Sequence, residues 1–265
     1  MSIRITTYWR VWFILAKASL QTVFIQPLSS GIFFIGKAVR LAMMIIFLLI
    51  IKKSVSHLGS YTIDHMVVFF LTYQVIDQLS QLMFRHVYSF GNSIKEGTLD
   101  FYLTKPISPL FTALFGWPDL VDVLFFIPTL LLSAWLVSTL SITVTASAVF
   151  WYVVFLINGL CISAGLHILV LCSGIFTTEI DGAIWLFRDL SRLGQFPVPI
   201  YPQPLRALLF FLVPIGVMIT VPAELLLNIP RSLPMTLALG CGILFLTGSI
   251  LIWKQALKNY TSASS

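Results

Sequence analysis

GNSIKEGTLDFYLTKPISP, residues Gly91–Pro109, is a polar island between two apolar runs, and it carries Lys95, Glu96, Asp100 and Lys105 where charge is otherwise scarce. The 265-residue chain around it is 58% hydrophobic and only 10% charged, with 22 phenylalanines and a mean hydropathy of +0.97. A soluble domain of that length needs far more charge to cover its surface. Runs of about 20 apolar residues instead match a hydrocarbon layer roughly 30 Å thick, within which a helix must satisfy its own backbone. The fold class is therefore an all-α integral membrane protein.

Working outward from the island, apolar runs near 64–84 and 111–137 flank it, and others lie near 31–52, 147–172, 206–227 and 234–253. Six spans put both termini on one side. Arg4, Arg10, Lys17, Arg85, Lys95, Lys105, Arg188, Arg192, Arg206, Lys254 and Lys258 fall on that side, against Lys52, Lys53 and Arg231 on the other. The positive-inside rule makes the terminal side, and the island with it, cytoplasmic. Lys53 and Ser141 then face outward. No cleavable signal peptide is expected, because Arg4, Arg10 and Lys17 sit among aromatics with no apolar core before a small-residue site. YWRVWF, Tyr8–Phe13, reads as an amphipathic helix lying in the interface. No repeat or low-complexity linker divides residues 1–265, so a single transmembrane domain is expected, in the bilayer and without a nucleic-acid partner.

Two regions strain a plan of straight spans. Residues 173–204 hold Glu179, Asp181, Arg188, Asp189 and Arg192 together with AIWLF, a pattern for an in-plane or partly inserted helix. Pro197, Pro199, Pro202, Pro204, Pro214 and Pro222 then predict a kinked or broken fifth span, with an ordered non-helical turn over 195–204.

The candidate chemistry is thin. GIFFIGKA, Gly31–Ala38, matches a phosphate-binding loop except at its end, where Ala38 replaces the hydroxyl that would hold magnesium. Lys37 is instead read as snorkelling to the cytoplasmic interface. Asp119 and Asp122 form a D-x-x-D pair, but metal-dependent phosphotransfer needs more acids than these, so an ion pair with Arg85 or Arg40 is the plainer reading. His57, His65, His86 and His167 lack ligand spacing, and Cys161, Cys172 and Cys241 sit in apolar runs as small core residues. No catalytic, cofactor-binding or metal residue is assigned. In the second span Gln74, Asp77, Gln78 and Gln81 recur at i, i+3, i+4 and i+7, on one helical face. Such a stripe must face protein or water, as either a hydrogen-bonded helix seam or the wall of a polar conduit.

In the island, Ser93 and Glu96 have capping-box spacing, so a short helix is expected to start there, weakened at Gly97 and closed before Pro106 and Pro109. Ile94, Leu99, Phe101, Tyr102 and Leu103 give it apolar surface for a partner protein.

IKEGTLDFYLTKPISPL, Ile94–Leu110, resembles the loop after the second span in permeases of the ATP-binding cassette type-2 exporter class, where an I-x-x-G-x-L-D-x-x-L-x-K-P run is typical of one branch. Residues Gly194–Leu227, GQFPVPIYPQPLRALLFFLVPIGVMITVPAELLL, resemble that branch's F-P-x-x-I-Y-P segment and the run ending in P-A. The resemblance covers essentially the whole chain. It implies two permease subunits, alike or different, paired in the inner (cytoplasmic) membrane and docked to separate ATPase subunits that hold the ATP and magnesium. The coupling helix would comprise Ile94, Lys95, Glu96, Gly97, Leu99, Asp100, Phe101, Tyr102, Lys105 and Pro106, with Leu99 and Phe101 or Tyr102 entering the ATPase. Its cargo class would be lipid-like, glycan or drug-like. A membrane-embedded lipid-modifying enzyme, motivated by Asp119 and Asp122, and a channel or scaffold, motivated by the stripe, are the alternatives.

Overall fold

Each long apolar run folds as a helix, since no water at membrane depth can satisfy an open backbone. The computed structural model describes residues 5–25, 27–54, 57–177 and 179–260. Helix α1 (Ile5–Ile25) precedes α2 (Pro27–Ser54), and a short hairpin of β1 (His57–Leu58) and β2 (Tyr61–Thr62) leads into α3 (Ile63–Phe84). The Thr62 hydroxyl accepts from the His65 backbone N–H at 3.2 Å, and His65 Nδ1 accepts in return from the Thr62 N–H at 3.4 Å. This reciprocal cap fixes where α3 begins.

After a 3₁₀ turn over Arg85–Ser89 come α4 (Phe90–Lys95), α5 (Leu99–Thr104) and α6 (Pro109–Phe115), then α7 (Leu120–Thr139), α8 (Ala146–Thr177) and α9 (Asp181–Arg192). The third apolar run is thus two helices, because Pro118 cannot donate to a continuous ladder. Helix α8 is 32 residues long, about 48 Å at 1.5 Å per residue, so its last turns project beyond the hydrocarbon. Exposed Leu130, Leu131 and Trp135 on α7, and Ile243, Leu244, Leu251 and Ile252 on α12 (Met235–Lys258), form apolar outer faces suited to lipid. Among the described residues, five helices are long and apolar enough to cross a membrane, or six if the bent pair Leu205–Leu212 and Gly216–Leu226 counts as one span. In α1, Trp9 and Phe13 are exposed, and Tyr8 meets Phe111 edge-on at 4.8 Å, which seats the helix beside α6.

The fifth crossing departs from expectation. Gly91 and Gly174, near the end where α3 finishes, both lie against Ile180. Phe187 then packs on His167 at 4.5 Å, while Gly194 lies under Ile215 and Ile219. The Val198 N–H donates to the Thr220 hydroxyl at 3.2 Å, and Ile200 reaches Gly59 in the hairpin where α3 begins. Residues 180–200 therefore run antiparallel to α3 from one end of the bundle to the other. They do so as α9 followed by 3₁₀ turns at Leu193–Gln195 and Val198–Ile200, the non-helical exit that the prolines predict.

The run expected as the fifth span, 206–227, is a bent pair instead: α10 (Leu205–Leu212) and α11 (Gly216–Leu226) meet at 76°. Pro214 removes the donor that would join them. Helix α10 starts just past Ile200, and α11 returns to the hairpin, where the Tyr61 hydroxyl donates to Glu224. The pair enters and leaves at one end.

The two parts of the bundle meet where side chains vanish. A methyl group on Gly159 of α8 would lie 2.7 Å from the Met218 carbonyl oxygen of α11, a backbone atom that cannot swing aside. Helices approach this closely only over small residues. Gly159→Ala should lower stability by about 1–3 kcal/mol through overpacking. Gly248→Ala, with open space around its α-carbon, should be neutral or stabilising by up to about 1 kcal/mol from helix propensity. Thermal unfolding of the detergent-solubilised variants should therefore show opposite signs.

Candidate functional site

Helix α3 carries its polar stripe on the side facing α2, α7 and α9. Gln74, Gln78 and Gln81 are buried and Asp77 is partly buried. All four line a cavity of about 400 Å³, whose other walls are Ile32, Phe33, Gly36 and Lys37 of α2, Arg85, Phe125 of α7 and Arg188 of α9. The stripe thus faces protein and an internal space. Phe70, one turn before it, is also buried, so it offers no lipid-facing contrast to the stripe.

Cations enter this cavity from three elements. The Lys37 ammonium forms an ion pair with Asp122, which is 1% exposed, so Lys37 turns inward and does not snorkel. Arg85 pairs with Asp119 at 3.7 Å, as the sequence suggested, and donates to Gln81 Oε1 at 2.9 Å. The Arg85 guanidinium also lies over the Phe33 and Tyr88 rings at 5.0 and 5.5 Å. Arg188 stacks over Trp185 at 5.3 Å. The Arg40 side chain, the other partner considered for the acids, lies outside the described residues, as do those of Lys52 and Lys53. With Asp119 and Asp122 engaged by cations, the pair is not disposed as a two-acid metal site. Among the described residues, no three His, Cys, Asp or Glu side chains converge.

The polar island is built differently from its sequence pattern. Helix α4 starts at Phe90, so Ser93 lies inside it and caps nothing. The Ser93 carbonyl instead accepts from the Thr98 hydroxyl at 3.1 Å. Gly97 takes a φ of +69°, a left-handed turn that glycine adopts without strain, and it separates α4 from α5. Ile94 and Leu99 are 3% and 0% exposed, packed with Leu171 and Ile175 of α8 and Ile180 before α9. Neither is free to enter a partner. Hydrophobic burial in the bundle has claimed them first. Phe101 and Leu103 remain outside, at 65% and 42% exposed, with Lys95, Glu96, Lys105 and Pro106 beside them. Asp100 and Tyr102 are half-buried, and the Lys105 ammonium lies 5.7 Å from the Tyr102 ring centre.

At the opposite end of the bundle sits a cluster that motif reading passed over. Glu224 is fully buried and accepts from the Ser232 N–H at 2.7 Å, the Ser232 hydroxyl and the Tyr61 hydroxyl. Burial and the neighbouring carboxylate push Tyr61 up to about 12, so it remains a hydrogen-bond donor across the ordinary pH range. The available signal was one acid in the otherwise apolar VPAELLL. It ties α11 to the hairpin.

Residues 38–264 match the family described as ABC-2 family transporter protein. No curated protein and no solved structure matches the chain.

The Lys37–Asp122 pair, buried at the acid and 21% exposed at the lysine, has a definite energetic signature. Removing one partner strands a charge, at a cost of up to about 3–5 kcal/mol, whereas replacing both by apolar groups is close to neutral. Asp122→Ala should therefore sharply lower the unfolding temperature of the purified protein. Lys37→Met combined with Asp122→Leu should restore most of it.

Proposed function

The chain belongs to the ABC-2 transporter family, and from that premise we propose that it is the transmembrane half of an ATP-driven exporter. Membership makes it the membrane permease component of an ABC transporter and implies an ABC ATPase as partner. In the proposal two permease subunits pair in the cytoplasmic membrane, with both termini and residues 91–109 on the cytoplasmic side. ATP and magnesium bind in the separate ATPase subunits. Their closure tilts the spans and opens an outward path.

The observation that carries the coupling reading is the division of labour within the island. Large apolar side chains held out of the bundle mark interaction sites, and Phe101 and Leu103 stand out on its polar surface. Ile94 and Leu99 root the same short helices in the ends of α8 and α9. A push on Phe101 would reach those helices as a rigid-body motion. The fold carries Arg188 and Arg192 into the crossing and Arg206, expected on the terminal side, to the opposite end; the remaining basic-residue asymmetry still supports the cytoplasmic placement. Pairing is supported by α9, whose exposed face presents Trp185 and the Arg192–Asp189 ion pair, 2.9 Å long, along a crossing segment. Charges at membrane depth are costly against hydrocarbon. A second subunit or the path between the two subunits would cover them. The alternatives fare less well: cations occupy the acids a lipid enzyme would use, and a channel leaves the island without a role.

Truncating a buried interface anchor costs on the order of 2 kcal/mol or more. Phe101→Ala with Leu103→Ala should sharply reduce recovery of the cognate ATPase in co-purification and remove coupled hydrolysis, with the permease still folded. Leu99→Ala should instead lower the unfolding temperature of the permease itself. If the double variant assembles and transports like the parent, the docking reading fails.

A further inference from the structure

The cavity beside α3 is built with polar groups that no described residue satisfies. Gln74 and Gln78 are 6% and 5% exposed, and among the described residues no hydrogen-bond donor reaches the Oε1 atom of either. For Gln78 the amide orientation is fixed by its neighbour. Thr129 gives its hydroxyl proton to the Phe125 carbonyl at 2.9 Å, so its oxygen must accept from Gln78 Nε2 at 3.2 Å. The amide oxygen is left to the cavity. An unsatisfied buried acceptor costs about 1–3 kcal/mol, so these groups call for a ligand that donates.

Asp77 stands on the same face, three residues after one amide and one before the other. Among the described residues no ion pair engages it. Two amide oxygens and a carboxylate match the three N–H donors of an ammonium group. A purely cationic ligand does not fit, however, because Lys37, Arg85 and Arg188 line the same space. Asp122 neutralises Lys37 and Asp119 neutralises Arg85. That leaves Arg188, whose contact among the described residues is the Trp185 ring. One acid and one base therefore share the cavity without pairing with each other.

We propose that this cavity binds the head of a zwitterionic amphiphile, with an N–H-bearing ammonium at Gln74, Asp77 and Gln78 and an anionic group of the phosphate type at Arg188. Ile32, Phe33 and Phe125 supply the apolar wall for its tail, and Ile32 is 64% exposed, so the cavity opens outward at this wall. The volume suits such a head, since ligand sites of about 300–1,000 Å³ are typical. Calling this ligand the cargo rests on the permease reading above. The binding itself does not.

The test uses the full-length purified permease without ATPase, in a neutral maltoside detergent, so failure of ATPase docking cannot alter the readout. Lysophosphatidylethanolamine, lysophosphatidylcholine, lysophosphatidylglycerol and tail-free phosphoethanolamine are titrated separately against tryptophan fluorescence. The ethanolamine lipid should bind about tenfold tighter than the choline lipid, which lacks N–H donors, and than the anionic glycerol lipid, as befits one charge-assisted hydrogen bond. Asp77→Asn and Gln78→Leu should each abolish that preference. Arg188→Gln should weaken the ethanolamine, choline and glycerol lipids alike, since all three carry the phosphate. Unchanged unfolding temperatures of the variants without ligand keep the comparison valid, and the Arg188→Gln pattern provides a second, independent reading. Equal binding of all three lipids, or an unchanged preference in Asp77→Asn, would overturn the proposal. Phosphoethanolamine binding as tightly as the tailed lipid would overturn its amphiphilic class.

Discussion

A polar side chain at membrane depth must be covered, and this constraint organises the bundle around α3. Hydrocarbon exacts several kilocalories per mole for each exposed charge or unsatisfied amide. Gln74, Asp77, Gln78 and Gln81 accordingly turn toward α2, α7 and α9, where Lys37, Arg85 and Arg188 meet them. Helix α9 can cross beside α3 because its Ile184 and Phe187 face the bundle while Arg188 lines the cavity. Helix α9, which is too short and too charged to span alone, is thus sheltered by α3, and its Arg188 joins the polar stripe there.

The same pairing explains the next stretch of chain. Once residues 180–200 have made the crossing, the apolar run after Pro204 has no need to make it again. It dips toward the middle of the bundle as α10, breaks at Pro214 and returns as α11. Gly159 and Gly194 let α11 settle against the long helices, and Glu224 fastens its end to Tyr61 and Ser232. At the other end, α4 and α5 are rooted by Ile94 and Leu99 and present Phe101 outward. In the proposed transporter these two ends would be the exit and the drive. The polar cavity lies between them.

Much of this was legible in the sequence. Apolar run length located α2, α3, α8 and α12 closely, and helical spacing put the four stripe residues on one face, where the structure places them. The prolines marked the break in α10 and α11. What sequence could not supply was long-range pairing. Periodicity cannot say that Lys37 meets Asp122, 85 residues away, so snorkelling was the local answer. Hydropathy undervalued Asp181–Arg192 as a crossing segment, because its cover comes from other helices. In the island, apolar residues pointed correctly to packing, but only the fold separates Leu99, which the bundle buries, from Phe101, which it does not. The capping box failed for a related reason: α4 begins earlier, driven by burial of Phe90 against Trp253.

The crossing by residues 180–200 is the element on which the cavity, the re-entrant pair and the coupling route all depend. It can be measured with single cysteines at exposed positions, in a chain whose Cys161, Cys172 and Cys241 have been replaced. Asp181→Cys and Gln203→Cys flank the segment, and an impermeant thiol reagent applied to sealed vesicles of each orientation reports the side on which each lies. Position 181 should label from the same side as Lys95→Cys, and position 203 from the opposite side together with Ser141→Cys. Labelling of 181 and 203 from one and the same side would contradict it.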